Sequence, residues 1–286
     1  MGYQVLGSEA TIALASSNTS TGYAGHLVNT GMAITGMEWA INAPEYEKTA
    51  MGDTSRSFAT QRGEWSVSLR GLFPKGTRKL GNESIITIGS GAATVTMARE
   101  WSIDFDWGEV EYTNWTNNAS GDEIYWRGFR PRNMVKVSGQ WAGIRDSAAI
   151  ESALFKQGDT APSATFKLTE EGATDNTIAF SLITISNPLT IPWQADDAQG
   201  YTYTFDAGGA ITVAGAANLL PSGALAAQYW ADSSGAPTET LTVLTRGGGP
   251  SLAGKCWLKS LGIRSPIAGP IEVTATLRGT GALTRT

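Results

Sequence analysis

Along most of this chain apolar and polar residues alternate one for one. "WSVSLRG" (Trp65 to Gly71), "WSIDFDW" (Trp101 to Trp107), "MVKVSGQW", "ATFKL", "IAFSLITI", "YTYTF", "LTVLT" and "IEVTATLRG" each send one parity to a core and the other to water, as half-buried strands do. "IITIGSGAATVTM" reads the same way. Two stretches break the period. In "DSAAIESALFKQG", Ile150, Ala153 and Leu154 fall at helical spacing after Asp146 and Ser147, and Gly158 stops the run; in "PSGALAAQYWADSSG", Leu225, Ala226, Tyr229 and Trp230 do so after Pro221 and Ser222. The pattern predicts a mainly β protein with two short, isolated helices.

The strands repeat. "YTYTFDAGGAIT" (Tyr201 to Thr212) returns as "VTATLRGTGALT" (Val273 to Thr284), with Thr202, Thr204, Gly209, Ala210 and Thr212 over Thr274, Thr276, Gly281, Ala282 and Thr284. Aligned on Ala161-Pro162 and Ala236-Pro237, the helices also superpose, Ile150 on Leu225 and Leu154 on Tyr229, and "ATFKL" falls on "ETLTVL". The unit is therefore about 70 residues, helix followed by strands, at 146–213 and again at 221–286.

The front half repeats more faintly. Glu38-Trp39 stands over Glu100-Trp101, and Val67, Leu69 and Gly71 over Val135, Val137 and Gly139. Each front unit reads as a long hairpin with a polar tip, "MGDTSRSFATQRG" in one and "NWTNNASGDE" in the other. The order hairpin, hairpin, helix unit, helix unit suggests nesting: a domain at 90–213 inserted into one built from 1–80 and 214–286, entered through the loop "PKGTRKLGNES". Pairing the first hairpin with the first helix unit is the other arrangement open to one sequence.

Composition narrows the chemistry. Of 286 residues 16% are charged, the formal net charge is -5, and no run of Lys and Arg forms a stripe, which argues against a tight grip on a phosphate backbone. One cysteine, Cys256 in the alternating "KCWLKS", excludes an internal disulfide and reads as a buried inert thiol. The start "MGYQVLGSEATIALASS" carries no leader pattern, and no window has membrane-spanning length. The one histidine, His26, sits among small residues with no evident acid beside it, so Ser-His and Cys-His mechanisms lack a base. One His and one Cys do not make a structural zinc site, "DFD" and "ADD" lack spaced calcium ligands, and "GGGP" (Gly247 to Pro250) is a turn with no helix or lysine after it. No enzyme, cofactor or metal is expected.

A long hairpin, a returning strand that ends in Gly, a single short helix and strands that close with "TGALT" together resemble the phage tail tube proteins, a fold shared with the Hcp protein of type VI secretion. The helix units and "IEVTATLRGTGALT" carry most of the likeness. The resemblance implies two tube-like β-sandwich or barrel domains, each with a long hairpin and one flanking helix. It further implies rings stacked into a tube, a channel for DNA, a virion location after assembly in the host cytoplasm, and partners such as the tape measure and terminator proteins. With two domains per chain, three chains give a pseudo-sixfold ring; the long, noncontractile kind of tail is the expected one.

The acids from Glu100 to Tyr125, with no Lys or Arg among them, supply the candidate channel wall: Asp104, Asp106, Glu109 and Glu111, with Glu45 and Glu47 from the first hairpin as weaker contributors. Like charge there keeps passing DNA hydrated, whereas the bland reading is a solvated hairpin with cross-strand ion pairs. Alternation lets one parity face the channel unless a bulge at Gly108 changes phase. Asp53, Arg56, Asn117 and Asp122 are the candidate hairpin-tip contacts between rings. Two other readings stand beside this one: a capsid decoration or tail-tip protein, and a glycan module using Trp101, Trp107, Trp115, Trp126 and Trp141 as platforms with Asp104 and Glu109 as a carboxylate pair.

Overall fold

The structure, a computed structural model, describes residues 11–16, 33–43, 45–47, 49, 51, 54–56, 58–60, 63–73, 85–89, 93–95, 98–111, 127–132, 135–144, 163–171, 174–185, 200–214, 239–244, 251–266 and 269–285. They are almost entirely strand. Both predicted helices, His26, the loop 74–84, and Asp53, Asn117 and Asp122 lie outside the described residues.

The first hairpin climbs through β2 (Ala33–Asn42) and β3 (Glu45–Glu47) and returns through β4 (Phe58–Thr60) and β5 (Glu64–Phe73), after the early strand β1 (Thr11–Ser16). β6 (Ile85–Ile88) and β7 (Ala93–Val95) follow. The second hairpin is built alike, out through β8 (Ala98–Asp106) and β9 (Glu109–Glu111), back through β10 (Phe129–Pro131) and β11 (Lys136–Ile144). The rest is β12 (Ala164–Glu171), β13 (Thr174–Ile185), β14 (Gly200–Ala214), β15 (Glu239–Leu244), β16 (Ser251–Ser265) and β17 (Ile271–Arg285). "WSVSLRG", "ATFKL", "IAFSLITI", "YTYTF" and "IEVTATLRG" lie wholly within these strands, the other alternating segments overlap them, and the fold is mainly β.

Thirteen strands join in one antiparallel sheet, ordered β2-β5-β17-β16-β8-β11-β14-β13-β12-β6-β7, with β15 and then β1 branching from β16. The order is written twice, head to tail. β2-β5-β17-β16-β15-β1 and β8-β11-β14-β13-β12-β6 have the same sequence of roles, joined where the last part of β16 pairs with β8.

Register makes the correspondence residue by residue. Leu277 opposes Val67, and Phe205 opposes Gly139; Val67 in turn opposes Trp39, and Gly139 opposes Ile103. Following these partners outward, Met37, Trp39 and Ile41 correspond to Trp101, Ile103 and Phe105. The match of Trp39 with Trp101 expected from the sequence is thus displaced by one alternation, and that of Val67 with Val135 by two; both displacements keep parity, so the inward set is the same. Both hairpins also slip register at the same level, between Ile34 and Gly36 and opposite Ala142 and Gly143.

A sheet this wide must curl, since twisted open sheets rarely exceed about 10 strands without doing so. Here the curl is visible in the aromatic core: Trp101 on β8 lies 5.3 Å from Phe166 on β12, and Phe105 on β8 lies 6.2 Å from Phe180 on β13, although strands separate each pair along the sheet. One face of the central long strands is therefore enclosed, with Trp65, Trp101, Trp141 and Trp257 all at or below 2% exposure. Cys256 is buried among them, as its alternation foretold.

Trp65 packs by close approach. A Cβ on Gly279 would stand 2.0 Å from its ring and one on Gly254 2.4 Å, so the indole lies flat on two bare backbones. Its Nε1 donates to the carbonyl of Gly281 at 3.1 Å, which satisfies the one polar atom of a buried ring.

Candidate functional site

The enclosed parity leaves the other parity outside, and on the central six strands it is small and polar. One straight row crosses β5, β17, β16, β8, β11 and β14 as Arg70, Thr274, Gly262, Asp104, Ser138 and Asp206. A neighbouring row reads Ser68, Thr276, Ser260, Asp106 and Lys136. Alternation causes this: Ser66, Ser68, Ser102, Thr202 and Thr204 are the polar halves of strands whose other halves are Trp, Val, Leu, Phe and Tyr.

Asp104 and Asp106 belong to this face. Asp104 stands between Gly262 and Ser138, without a cation on either flank. Its Oδ1 leans over the bare backbone of Gly262, 2.9 Å from where a Cβ would be, and Thr274 closes the same space from the far side at 2.7 Å. Partial burial there pushes the Asp104 carboxyl above its ordinary range. Asp106 turns the chain as well as facing water: its Oδ1 accepts a hydrogen bond from Gly108 N at 2.9 Å. Gly108 has φ of 59°, a left-handed turn that breaks the alternation between β8 and β9.

After that turn the acids behave differently. Glu109 reaches back onto the other half of the sheet, its Oε2 3.2 Å from Lys259 Nζ and 3.1 Å from Arg278 Nε. The second contact is close without hydrogen-bond alignment. Arg278 also donates through Nη2 to Glu64 at 2.8 Å and lays its guanidinium 3.8 Å over the ring of Phe129. Desolvation would raise the carboxyl of Glu64, but hydrogen bonds from Arg278 and Asn42, with the charges of Arg278 and Arg127, hold it below its ordinary value. Glu111, farther out, is 3.9 Å from Arg127. Glu109 is thus a neutralised structural acid, whereas Asp104 and Asp106 keep the outer face.

Backbone contacts fasten the same hairpin. Trp107 N donates to Lys259 O at 3.0 Å, Arg127 N to Gly63 O at 2.8 Å, Gly281 N to Arg127 O at 3.1 Å, and Phe129 N to Thr280 Oγ1 at 2.9 Å. The base of the second hairpin is therefore sewn to strands of the first half. In the first hairpin Glu45 and Glu47 lie exposed on β3; Glu47 accepts from Thr49 at 2.8 Å and sits 3.9 Å from exposed Arg56.

Trp101, Trp107 and Trp141 are core residues, exposed by 4% or less, so these three cannot be sugar platforms; Trp115 and Trp126 lie outside the described residues. Among the described residues no cluster of His, Cys, Asp and Glu is arranged to hold a metal, and no helix is long and apolar enough to cross a membrane. Sequence reasoning missed the Arg278 cluster, because Glu64, Glu109, Lys259 and Arg278 are remote in the chain and meet only through the sheet.

No protein-family model matches the sequence, and no curated protein matches it. Among solved structures, the chain is similar to a chain of the virion of a native gene transfer agent particle, with 16% identity and a TM-score of 0.38 over 47% of this chain and 98% of that one. It is likewise similar to a chain from the tail of an empty gene transfer agent particle, refined helically with C6 symmetry, at 19% identity and a TM-score of 0.36 over 47% and 98%.

Proposed function

We propose that this chain is a structural, non-enzymatic virion subunit that polymerises into stacked rings and forms the tube through which DNA leaves a phage-like particle. The observation that carries the reading is the strand order written twice, head to tail, in one continuous sheet. A head-to-tail repeat is an open series: the contact that joins the first copy to the second can be made again by the next chain, and such heterologous contacts close into rings. Residues 1–80 with 214–286 form one tube domain and 90–213 the inserted other. Three chains then supply six domains to a pseudo-sixfold ring.

The polar face turns to the channel in this reading. Small hydroxyls and the Asp104, Asp106 and Asp206 carboxylates keep water on the wall and repel a passing polyanion, and the face offers DNA bases no aromatic on which to stack. The tape measure and terminator proteins are its natural neighbours in a tail, and assembly takes place in the host cytoplasm. Cryo-electron microscopy of the purified chain, averaged without imposed symmetry, tests this. Stacked rings of three chains with six similar lobes are expected; six chains per ring would keep the tube and remove the two-domain count, and discrete unstacked particles would overturn the tube.

A further inference from the structure

Resting on that reading, we infer that the outer edge of β2 is the docking strand for a second copy of this chain, which adds its own β13 alongside β2 as β16 is added to β8. β2 and β8 hold the same place in the two halves of the sheet. β8 is paired on both sides, by β11 and by β16, with Leu261 opposite Phe105, Ile263 opposite Ile103 and Ser265 opposite Trp101. β2 is paired by β5, and among the described residues no strand pairs with its other side.

The side chains record the difference. Trp101, Ile103 and Phe105 are buried, at 2%, 0% and 1% exposure, whereas their counterparts Met37 and Trp39 are only half-buried and Ile41 is 52% exposed. β2 nevertheless keeps the inward alternation of Met37, Trp39 and Ile41, so its sequence is written for a cover that the described residues of one copy do not supply. Its ten residues, AITGMEWAIN, include no Pro, Lys or Arg, and its guards as a lone edge are limited to Glu38 and the register slip before Gly36.

The matching free side is on β13. β16 gives its first part, up to Cys256, to β15, and its later part, from Ser260, to β8. β13 gives its first part, up to Phe180, to β12, and among the described residues no strand pairs with the side of Leu182 to Ile185 that faces away from β14. Among the described residues one chain therefore carries one open site of each kind, at opposite ends of its repeat, which selects another copy of itself as the partner.

The test uses the full chain with Ile41 replaced by p-benzoylphenylalanine, irradiated after assembly, and the joined peptides identified by mass spectrometry. The expected product is a dimer in which β2 of one copy is joined to the peptide containing β13 of another; joining to any other region overturns the inference. In parallel, Ile41→Asp is expected to abolish assembly by native mass spectrometry with unchanged far-ultraviolet circular dichroism, while Ile41→Val keeps it. Rings that form equally with Ile41→Asp overturn this inference and leave the tube standing. A wild-type chain that stays monomeric at the highest soluble concentration overturns both.

Discussion

The two halves of the sheet use the same bulge for different ends. In β14 the bulge at Gly209, φ 72°, is closed locally: Ser181 of the neighbouring strand accepts a hydrogen bond from Ala210 N at 2.8 Å. In β17 the corresponding Gly281, φ 69°, faces outward to other elements, its carbonyl held by Trp65 and its N–H donated to Arg127 of the second hairpin. The backbone geometry came with the repeat, and the partners diverged. A duplicated strand can thus keep its shape while one copy becomes an anchor between halves.

Substitutions at corresponding positions should separate shape from anchoring. The largest effect is expected at Gly279, whose counterpart in the other half is Ala207: Gly279→Ala drives a methyl into the Trp65 ring and should destabilise the chain by about 3 kcal/mol in urea melts, the upper range for overpacking. Ala207→Gly should cost only about 1 kcal/mol. Equal losses at the two positions would show that Trp65 yields easily.

Next comes Arg278→Met, which leaves Glu109 and Glu64 facing each other without their shared cation. About 2 kcal/mol is expected, below the range for breaking a fully buried pair because Glu64 and Glu109 keep 25% and 31% of their side-chain surface. The same pair sets a pH dependence. The pKa of Glu64 is lowered in the fold, so its contribution is complete above its ordinary 4.5 and lost as pH falls through the lower folded value. Melts between pH 6 and pH 3 should show an acid loss in the wild type that is smaller in Glu64→Gln.

The bulges themselves rank third. Gly281→Ala meets nothing within 4 Å and should cost only the left-handed penalty, about 1 kcal/mol, whereas a methyl on Gly209 runs into Ser181 and should add roughly another 1 kcal/mol. A double-mutant cycle with Ser181→Gly, which removes the hydroxyl in both backgrounds, should show Gly209→Ala costing about 1 kcal/mol less in the Ser181→Gly background if the clash is the cause. The smallest effect belongs to Asp104→Asn. Because burial raises its pKa, the ionised form opposes folding at neutral pH, and the amide should be neutral to slightly stabilising; the Asp104→Asn, Asp106→Asn pair should leave rings intact and slow DNA ejection from reconstituted particles. Unchanged ejection would remove the repulsion argument.

Much of the fold was legible because alternation is a local signal. Trp65, Val67 and Leu69, or Tyr201, Tyr203 and Phe205, declare their inward face without knowledge of their neighbours, and Gly209 over Gly281 located a shared left-handed turn. The front repeat was harder. Trp39 and Trp101 look equivalent by identity, yet through the register Trp39 corresponds to Ile103, one alternation along the same face, and identity alone could not tell the two positions apart. For the candidate wall, alternation already set Asp104 and Asp106 apart from Glu109 and Glu111 unless Gly108 changed phase. What the sequence did not show is where Glu109 goes, because that depends on Lys259 and Arg278, whose proximity only the strand order creates.

That strand order also sets a timetable for synthesis. β5 finds its partner β17 only after some two hundred further residues have been made, whereas β8, β11, β14 and β13 are complete among themselves much earlier. At about 5–20 residues per second on the ribosome, β2 and β5 wait for roughly 10–40 seconds as an unfinished hairpin. Neighbouring nascent chains on one message hold the same unfinished hairpin at the same time, so the interval before β17 emerges is when strand exchange between chains competes with folding within one. Slower translation between β5 and β17 would lengthen that competition, and an early finished core from β8 to β14 gives β16, through its pairing with β8, a template beside which β17 ends it.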